Sequence, residues 1–372
     1  MRVVHLIKTD GIAGAERHLL DLLPALIARG VDARVLFIAP ESGAGADFAA
    51  AAESRAITVD RLPIRGHGSP ALVRAIARAL RRSKPDIVHG HLVHAELWGI
   101  PAARLARVRR VVVTRHSDDA RRTRQPLRTV YGALWRMLDT CICVSDAVRR
   151  AAEAEGAPSR KLRVIHLGLP PREPEPNRPS RESLRAELGL APDTLLFGTV
   201  SRLLQIKGID DAIRALARAP RVHLVVAGDG PERDALTALA AQLNMANRVH
   251  FLGWRSPIAP VLAALDGLLA PSRREGFGMS VLEAMQQGIP VIASSAGAHP
   301  ETVVDGYTGL LVPPDDPAAL TKAIVSLVES AHLRQAMGAA GRERVASVFT
   351  TERMVDATLA LYRELGSGKA VE

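Results

Sequence analysis

Short apolar runs rich in β-branched residues alternate with longer helical patterns along almost the whole chain. The runs form two series, each predicted to be a set of β-strands. The first series covers 2–8, 33–39, 86–90, 110–116, 140–145 and 161–167, and the second covers 194–202, 222–230, 248–253, 267–272, 289–295 and 309–314. Because strands that alternate with helices form parallel sheets, the pattern predicts an α/β protein with two doubly wound, Rossmann-like domains.

A stretch dense in proline and charge separates the two series. Residues 170–182 read PPREPEPNRPSRE, a composition typical of a linker. The length of 372 residues also matches two domains. We therefore expect an N-terminal domain over 1–171, a linker over 172–182 and a C-terminal domain over 183–351.

Both predicted domains begin with a strand, a turn containing glycine and a helix. The turns read TDGIAGAE in the first domain and SRLLQIKGID in the second. In doubly wound sheets ligands bind at the carboxyl ends of the strands, where helix N-termini present N–H groups and the positive end of the helix dipole. Two such domains facing each other would form one cleft, which suits a ligand that carries phosphate.

Composition narrows the class of protein. The chain is 47% hydrophobic and only 3% aromatic, so its cores are built from Ala, Val, Leu and Ile. It has neither an apolar run long enough to cross a bilayer nor a signal peptide. Cys141 and Cys143 alternate along one predicted strand without partners for a metal site, which predicts buried thiols. These features predict a cytoplasmic protein.

Charge is distributed unevenly. Residues 1–178 carry 30 Lys and Arg against 18 Asp and Glu, whereas the rest of the chain carries 19 against 21. The basic half favours an anionic partner. Nucleic acid is not expected, because no nucleic-acid module is recognisable and aromatic residues for base stacking are few. An anionic membrane surface fits better.

One basic helical pattern lies in this half, over 121–137. Apolar residues recur at helical spacing beside arginines: Leu127, Val130, Tyr131, Leu134, Trp135 and Leu138 beside Arg121, Arg122, Arg124, Arg128 and Arg136. An interfacial helix that contacts the inner membrane face has this pattern. An ordinary surface helix whose apolar stripe packs on the sheet has it as well.

Several turns combine residues suited to phosphate with simpler explanations. Arg202 and Lys207 lie in one loop after a predicted strand. The planar guanidinium of the arginine and the compact ammonium charge of the lysine suit a diphosphate, although both residues could also be ordinary solvated surface charges. Gly14 lies in a turn without the dinucleotide GxGxxG spacing and could relieve crowding. The turn AGDGPER at 227–233 fits ligand contact or plain turn chemistry, with Pro231 in the first helical turn.

Histidines cluster at two predicted strand ends. His89, His91 and His94 form a candidate metal cluster, but without an acidic or cysteine partner nearby they are better explained as polar groups that line the cleft. His116 follows another strand, and the carboxyl end of a parallel strand faces the crevice.

The segment REGFGMSVLEAMQQG at 274–288 carries two glutamates around a glycine turn. Ser280 and Glu283 match a capping box with Ser280 as N-cap. That explanation leaves Glu275 and the glycines unexplained. Glycines before a helix let backbone N–H groups approach a ligand, and carboxylates accept hydrogen bonds from sugar hydroxyls. A sugar, a diphosphate and a ribose in that order describe a nucleotide-sugar.

At this segment the chain resembles a known family. EGFGMSVLEAMQQGIPVIAS is similar to the E-x7-E signature of the retaining glycosyltransferases of family 4, which have the two-domain GT-B fold. The resemblance runs nearly end to end, because further motifs follow in the family's order: GIAGAERHLLDLLPAL, DIVHGH, CVSDAVRR, SRLLQIKGID, AGDGPER, FLGW and ETVVDGYTGLLVPPDDPAAL.

The resemblance implies a role for each matching position in the C-terminal domain. Glu275 would hydrogen-bond the transferred sugar and Glu283 the ribose. The turn of Gly276, Phe277 and Gly278 would bring the amides of Gly278, Met279 and Ser280 to the diphosphate. The side chains of Arg202 and Lys207 would help, and Gly253 and Trp254 would flank the base.

In the N-terminal domain the resemblance implies that Gly14 approaches the same phosphates and that His116 contacts the sugar near the reacting carbon. The catalytic set would be Glu275, His116, Arg202 and Lys207. The C-terminal helix, 352–366, would pack back on the first domain.

The implied reaction is transfer of a sugar from a UDP- or GDP-type donor to a hydroxyl of a glycan, glycolipid or small molecule, with retention by a front-face mechanism. No metal or other cofactor is implied, because no DxD-like pair stands where Mg²⁺ would bind the diphosphate. Family habit suggests bacterial envelope or exopolysaccharide synthesis. A nicotinamide oxidoreductase, a nucleotide-sugar epimerase on the same fold and a non-catalytic binder of anionic polymer or membrane remain as alternatives.

Overall fold

The computed structural model describes residues 1–64, 69–118, 127–171, 181–219 and 222–367. The chain divides into two compact units. The first comprises Met1–Pro170 together with the chain from Thr350 onward, and the second comprises Pro171–Phe349. Of the predicted linker, residues 172–180 lie outside the described residues, and 181–182 begin a helix.

The first unit is built on a parallel sheet of seven strands. They are β1 (Arg2–Ile7), β2 (Asp32–Pro40), β3 (Thr58–Ile64), β4 (Ile87–His91), β5 (Arg110–Arg115), β6 (Thr140–Cys143) and β7 (Leu162–Val164). The order across the sheet is β3-β2-β1-β4-β5-β6-β7. Because the strand order reverses between β1 and β4, the carboxyl ends of these two strands flank the switch point.

Helices connect these strands. They are α1 (Gly14–Ala28), α2 (Ala46–Glu53), α3 (Pro70–Ser83), α4 (Leu92–His94), α5 (Ile100–Leu105), α6 (Leu127–Met137) and α7 (Asp146–Ala154). A π-helical turn, Ala95–Gly99, joins α4 to α5. The buried leucines of α1 lie three and four positions apart, which is the spacing that places one helix face on a sheet.

The second unit repeats the plan with six parallel strands and eight helices in the part of the chain that the structure describes. The strands are β8 (Leu195–Val200), β9 (Val222–Ala227), β10 (Val249–Gly253), β11 (Gly267–Ala270), β12 (Val291–Ser294) and β13 (Gly309–Val312). The helices are α8 (Arg181–Glu187), α9 (Ile209–Ala217), α10 (Arg233–Gln242), α11 (Ala259–Ala264), α12 (Met279–Gln287), α13 (His299–Thr302), α14 (Pro317–Glu329) and α15 (Ala331–Val348). The sheet order β10-β9-β8-β11-β12-β13 puts the switch point between β8 and β11.

The last helix, α16 (Thr351–Ser367), belongs to the first unit. It packs against α1, and Arg29 forms an ion pair with Asp356 at 3.3 Å. The hydroxyl of Tyr362 lies 2.5 Å from Nδ1 of His89, so the C-terminal helix reaches the core beside β4.

The predicted α/β class and the parallel sheets are confirmed, and so are the buried thiols of Cys141 and Cys143. The sequence reading missed β3. This strand lies at the edge of its sheet, and its sequence TVDRLPI is mostly exposed or half-buried, so it lacks the apolar run that marks the other strands.

The basic helical pattern forms α6, and its apolar stripe points into the first unit. Tyr131, Leu134 and Trp135 are buried, and the Trp135 ring stacks on the guanidinium of Arg115 at 4.7 Å. Trp135 is therefore not available to contact a membrane surface, because its ring is buried in the first unit. Arg121, Arg122 and Arg124 lie outside the described residues. None of the helices that the structure describes has the length and apolar composition required to span a membrane.

Candidate active site

The candidate site of the second unit lies at its topological switch point. The loop after β8 carries Lys207, and the loop after β11 carries Glu275. Because β8 and β11 are neighbours in the sheet, the carboxyl ends of both strands deliver these loops side by side. The two residues are 68 positions apart in sequence, and the fold brings them into contact.

A glycine makes this contact between loops feasible. Gln205–Lys207 form one 3₁₀ turn, and Gly208 follows with φ of 64° as the N-cap of α9. A Cβ atom on Gly208 would lie 2.1 Å from the carbonyl oxygen of Pro271. Only glycine allows both the left-handed backbone and the close approach of the two loops.

Glu275 is held by a cation and a hydroxyl. Its Oε2 accepts hydrogen bonds from Nζ of Lys207 at 2.8 Å and from Oγ of Ser272 at 3.0 Å, and its side chain is 14% exposed. Burial raises the pKa of the carboxyl group, but Lys207, His299 and Ser272 together outweigh burial and lower the pKa below its ordinary value. Glu275 is therefore an ionised acceptor at neutral pH, suited to hydrogen bonds from hydroxyl groups.

His299 faces the same carboxylate. Its Nδ1 lies 3.0 Å from the carbonyl oxygen of Ser294, which can only accept, so Nδ1 carries the hydrogen. Its Nε2 then lies 3.8 Å from Oε2 of Glu275, buried and without a hydrogen-bond partner. Burial lowers the pKa of His299, which keeps the ring neutral. Sequence reasoning missed His299, although it follows β12, the strand next to β11.

The glycine turn before α12 ends in an N-terminus without a side-chain cap. Gly278 is the N-cap with φ of 90°, and a Cβ atom there would lie 3.2 Å from the His299 ring. The first intrahelical bonds run from the amides of Val281 and Leu282 to the carbonyl of Gly278. The amides of Met279 and Ser280 precede them, in the first turn, where an anion is favoured.

The predicted capping box is wrong. Helix α12 begins at Met279, so Ser280 is its second residue and Glu283 its fifth. The left-handed Gly278 ends the turn two residues earlier than the S-x-x-E pattern indicated. Glu283 is half-buried on α12. The Phe277 side chain is buried against Phe349, with ring centroids 5.8 Å apart, so only its backbone is available to a ligand.

Arg273 fastens the two loops together. Its guanidinium bonds to Asp210 at 2.8 Å and to Asp211 at 2.9 Å, and its backbone N–H donates to the carbonyl of Ile206 at 2.8 Å. Nε also pairs with the carboxylate of Asp315. The sequence reading gave Arg273 no role. The signal was the adjacent pair of acids that opens α9 directly after Lys207.

The remaining site residues of this unit follow the neighbouring strands. Arg202 is exposed just after β8. Gly253 ends β10, and its carbonyl accepts a hydrogen bond from Gly228 N at 2.8 Å. Trp254 follows and is 57% exposed. Helix α10 begins at Arg233, so the placement of Pro231 in a first helical turn is wrong.

The first unit carries two of the predicted residues. Gly14 is the exposed first residue of α1, directly after the loop that leaves β1. His116 follows β5 and is half-buried. The predicted cluster of His89, His91 and His94 is wrong, because His94 does not join the other two in any candidate metal-binding group among the described residues. His94 contacts Lys8 instead, and other histidines join His89 and His91.

Comparison with known proteins identifies the class. Residues 12–173 match the family model described as Glycosyltransferase Family 4, and residues 180–344 match Glycosyl transferases group 1. Together these cover both units. The chain is a glycosyltransferase of the hexosyltransferase type with the GT-B fold, and it belongs to glycosyltransferase family 4.

Two relatives and a solved structure support this assignment. The chain is 30% identical to the lipopolysaccharide core biosynthesis glycosyltransferase LpsE of Rhizobium meliloti, over 97% of this chain and 98% of the relative. It is also 30% identical to the D-inositol 3-phosphate glycosyltransferase of Mycobacterium marinum, over 79% of this chain and 67% of the relative. The crystal structure of Anabaena HepE in complex with UDP and glucose is similar, with a TM-score of 0.87 and 26% identity over 98% of this chain and 100% of HepE.

Proposed function

We propose that the protein transfers a hexose from a nucleoside-diphosphate sugar to a hydroxyl group of a glycan or glycolipid, with retention of anomeric configuration. The observation that carries the proposal is the ionised Glu275, held by Lys207 beside the N-terminus of α12. The carboxylate can accept hydrogen bonds from hydroxyl groups, and the neighbouring cation and backbone amides can bind phosphate. This arrangement matches the parts of a sugar diphosphate. The resemblance to HepE in complex with UDP and glucose favours a uridine donor.

In this proposal the second unit stabilises the leaving diphosphate. Lys207 and Arg202 supply positive charge, and the first-turn amides of α12 supply fixed donors, so the charge that develops on the departing phosphate is neutralised without reorganisation. Transfer then needs no metal ion. Glu283 binds the ribose, and the backbone around Gly253 and Trp254 flanks the base.

Retention follows from a front-face path. The departing phosphate itself accepts the proton of the acceptor hydroxyl, so no dedicated base is needed. A covalent path would require a carboxylate nucleophile at the anomeric carbon. Glu275 is instead occupied by Lys207 and Ser272 and serves to bind hydroxyls. The roles of Gly14 and His116, in the first unit, stay predictions from the family resemblance.

The decisive experiment has two stages. A thermal-shift screen first finds which UDP- and GDP-sugars bind the protein. Nucleotide release is then measured with the donors that bind and with envelope glycan acceptors. Glu275→Gln should lower kcat by about 100-fold or more without changing the melting temperature by more than a few degrees. Glu329→Gln, at an exposed position on α14, is the matched control. Proton NMR of the product determines the anomeric configuration, and an inverted product refutes the front-face path. Ligand binding without turnover for every donor would favour the non-catalytic alternative.

We also propose peripheral contact with anionic membrane through α6. Its exposed Leu127 and Val130 share the helix with Arg128 and Arg136, which are exposed as well. Leu127→Asp with Val130→Asp should reduce sedimentation with phosphatidylglycerol vesicles, whereas Val304→Asp, at an exposed apolar position of the second unit, should not. Equal sedimentation of the wild type, the double variant and Val304→Asp would refute the contact.

A further inference from the structure

A lysine lies at the switch point of the first sheet, as Lys207 does in the second. Lys8 directly follows β1, and His94 ends α4, the short helix that follows β4. The two strands pair as far as Ile7 and His91, and the order of the sheet reverses between them. Both residues therefore leave the sheet at the edge where doubly wound sheets bind ligands. Nζ of Lys8 lies 3.3 Å from Nε2 of His94.

The charge of Lys8 is not balanced by a carboxylate. Lys8 is 8% exposed, and among the described residues no acid forms an ion pair with it, including Asp10 two positions along the chain. An ammonium group can only donate hydrogen bonds, so Nε2 of His94 accepts and its ring is neutral. By contrast, the partly buried ammonium of Lys207 pairs with Glu275 at 2.8 Å. A cation held away from water without a counter-charge is unfavourable, so we expect an anionic ligand beside Lys8.

The backbone between β4 and α4 supports a functional role for this contact. Leu92 has φ of 66°, a left-handed conformation that is unfavourable for leucine. It lies directly after His91, where the chain leaves β4 and leads to His94. Backbone conformations of this kind cluster at active sites and ligand-binding sites.

The ammonium of Lys8 is within reach of a ligand. His94 is half-buried, so its contact with Lys8 lies close to the surface of the first unit. One of the three ammonium hydrogens is directed to His94, which leaves the others for a ligand. A compact ammonium charge suits the oxygens of a phosphate group, whereas sugar hydroxyls alone would not balance the charge.

We propose that Lys8, oriented by His94, binds a phosphate group of a substrate. This role rests on the transferase function proposed above, because that reaction has two substrates that can carry phosphate. One is the donor with its diphosphate, and the other is a phosphorylated acceptor. The excess of basic residues over 1–178, 30 Lys and Arg against 18 Asp and Glu, favours an anionic ligand in this part of the chain.

The test compares the wild type with Lys8→Met, both as full chains. UDP or GDP, as selected by the thermal-shift screen, is titrated by calorimetry, and inorganic phosphate is then titrated into each protein saturated with that nucleotide. If Lys8 binds the donor, Lys8→Met should bind the nucleotide at least about 10-fold more weakly. If Lys8 binds an acceptor phosphate, nucleotide affinity should stay the same, and the inorganic phosphate that binds the wild type should not bind the variant. Unchanged binding of both probes overturns the proposal, as does a wild type that binds neither.

The melting temperature separates ligand binding from a structural role. Because Lys8→Met removes a buried charge that no carboxylate balances, the variant should melt at a higher temperature than the wild type when no ligand is present. It should gain less melting temperature from the probe that Lys8 binds. A variant that melts at a lower temperature and binds both probes like the wild type would assign Lys8 to the fold and overturn the proposal. Lys8→Gln replaces Lys8→Met if the latter does not fold.

Lys84→Met is the matched control. Lys84 is exposed at the end of α3 in the same unit, so its replacement removes the same charge away from the switch point. It should match the wild type in both titrations and in melting temperature. These measurements report binding and do not depend on turnover, whereas Glu275→Gln tests the transfer itself. Loss of phosphate binding in Lys84→Met as well as in Lys8→Met would reduce the effect to net charge and overturn the proposal.

Discussion

Nζ of Lys207 lies 2.8 Å from Oε2 of Glu275, across the switch point of the second sheet. The two side chains are 18% and 14% exposed, so the ion pair is only weakly screened by solvent. Each residue comes from a different loop, and each charge offsets part of the cost of burying the other. The pair therefore couples the phosphate-binding and sugar-binding functions that we propose.

Lys207→Met should raise the pKa of Glu275. Burial raises the pKa of this carboxyl group and Lys207 makes the largest contribution to lowering it, so the pKa rises when Lys207 is removed. Because the ionised form is the one that accepts hydrogen bonds from the sugar, the acid limb of the kcat/KM profile should move to higher pH. At neutral pH kcat/KM should fall by about 100-fold or more, because the diphosphate also loses a cation.

The matched control for that experiment is Lys322→Met, at an exposed position on α14 of the same unit. Its pH–rate profile should coincide with that of the wild type. An acid limb that stays in place in Lys207→Met, with only a lower plateau, would mean that Lys207 serves the phosphates without tuning Glu275.

Arg273→Ala should destabilise the second unit by about 1 to 3 kcal/mol, because it leaves Asp210, Asp211 and Asp315 facing one another without their shared cation. Burial raises the pKa of both Asp210 and Asp211, and Arg273 lowers both, so that in the wild type the pKa of Asp210 lies below its ordinary value and that of Asp211 above it. Removal of Arg273 therefore raises the pKa of both acids in the folded state. The loss of stability relative to wild type should therefore be larger near neutral pH and shrink as pH falls towards about 4.5.

Urea unfolding of wild type and Arg273→Ala at both pH values measures this difference. Arg334→Ala is the control, since Arg334 on α15 bonds to the backbone carbonyl of Val328 and to no acid among the described contacts. A difference that does not change with pH would assign the effect to lost packing rather than to charge.

The sequence predicts the parts of the fold that have strong local signals, and the strands of both sheets illustrate this. Runs such as VVHLI in β1 and VHLVVA in β9 are buried on both faces, which makes them visible as apolar runs. β3 was not predicted, because it is an edge strand that is partly exposed to solvent and therefore lacks an apolar run. The capping box failed for another local reason: Gly278 ends the turn through its backbone conformation, which no side-chain pattern reports.

The contacts of the candidate site were harder to predict, because they join distant segments. Glu275 and Lys207 were recognisable one by one from their motifs. Their ion pair, and the ion pair of Arg273 with Asp210, depend on which strands are neighbours in the sheet. His299 has no motif and becomes visible only once β12 lies beside β11. The grouping of His5 with His89 likewise requires the β1–β4 register.

Gly278→Ala should impair transfer more than it impairs folding. The backbone at φ of 90° is unfavourable for alanine, which costs about 1 to 2 kcal/mol. The new methyl group also meets the His299 ring at 3.2 Å, and this ring faces Glu275. We expect weaker binding of the nucleoside diphosphate and a lower kcat, since both the first-turn amides and the carboxylate shift.

Gly306→Ala separates the two effects. Gly306 has φ of 73° and no atom within 4 Å of the added methyl group, so it carries the backbone cost alone. Both variants should lose similar melting temperature, and only Gly278→Ala should lose activity. Equal activity in the two variants would show that the close approach at Gly278 has no part in the site.

The buried histidines should make the protein sensitive to acid. Burial lowers the pKa of His5 to about 3 and of His18 to about 4, whereas in the unfolded chain both groups titrate at about 6.5. Below that pH these histidines are protonated in the unfolded state but stay neutral in the folded state, so the unfolded state binds more protons. The free energy of unfolding is therefore complete above about pH 6.5 and falls by about 1.4 kcal/mol per pH unit for each such histidine until the folded pKa is reached.

Urea unfolding between about pH 7 and pH 5 measures this slope. His18→Asn removes one buried titrating group, so its slope should be smaller than that of wild type by about 1.4 kcal/mol per pH unit over the lower part of the range. His332→Asn, at an exposed position on α15 of the second unit, is the control and should keep the wild-type slope. If His18→Asn and wild type lose stability in parallel, His18 titrates in the folded protein as it does in the unfolded chain, and its burial does not hold it neutral.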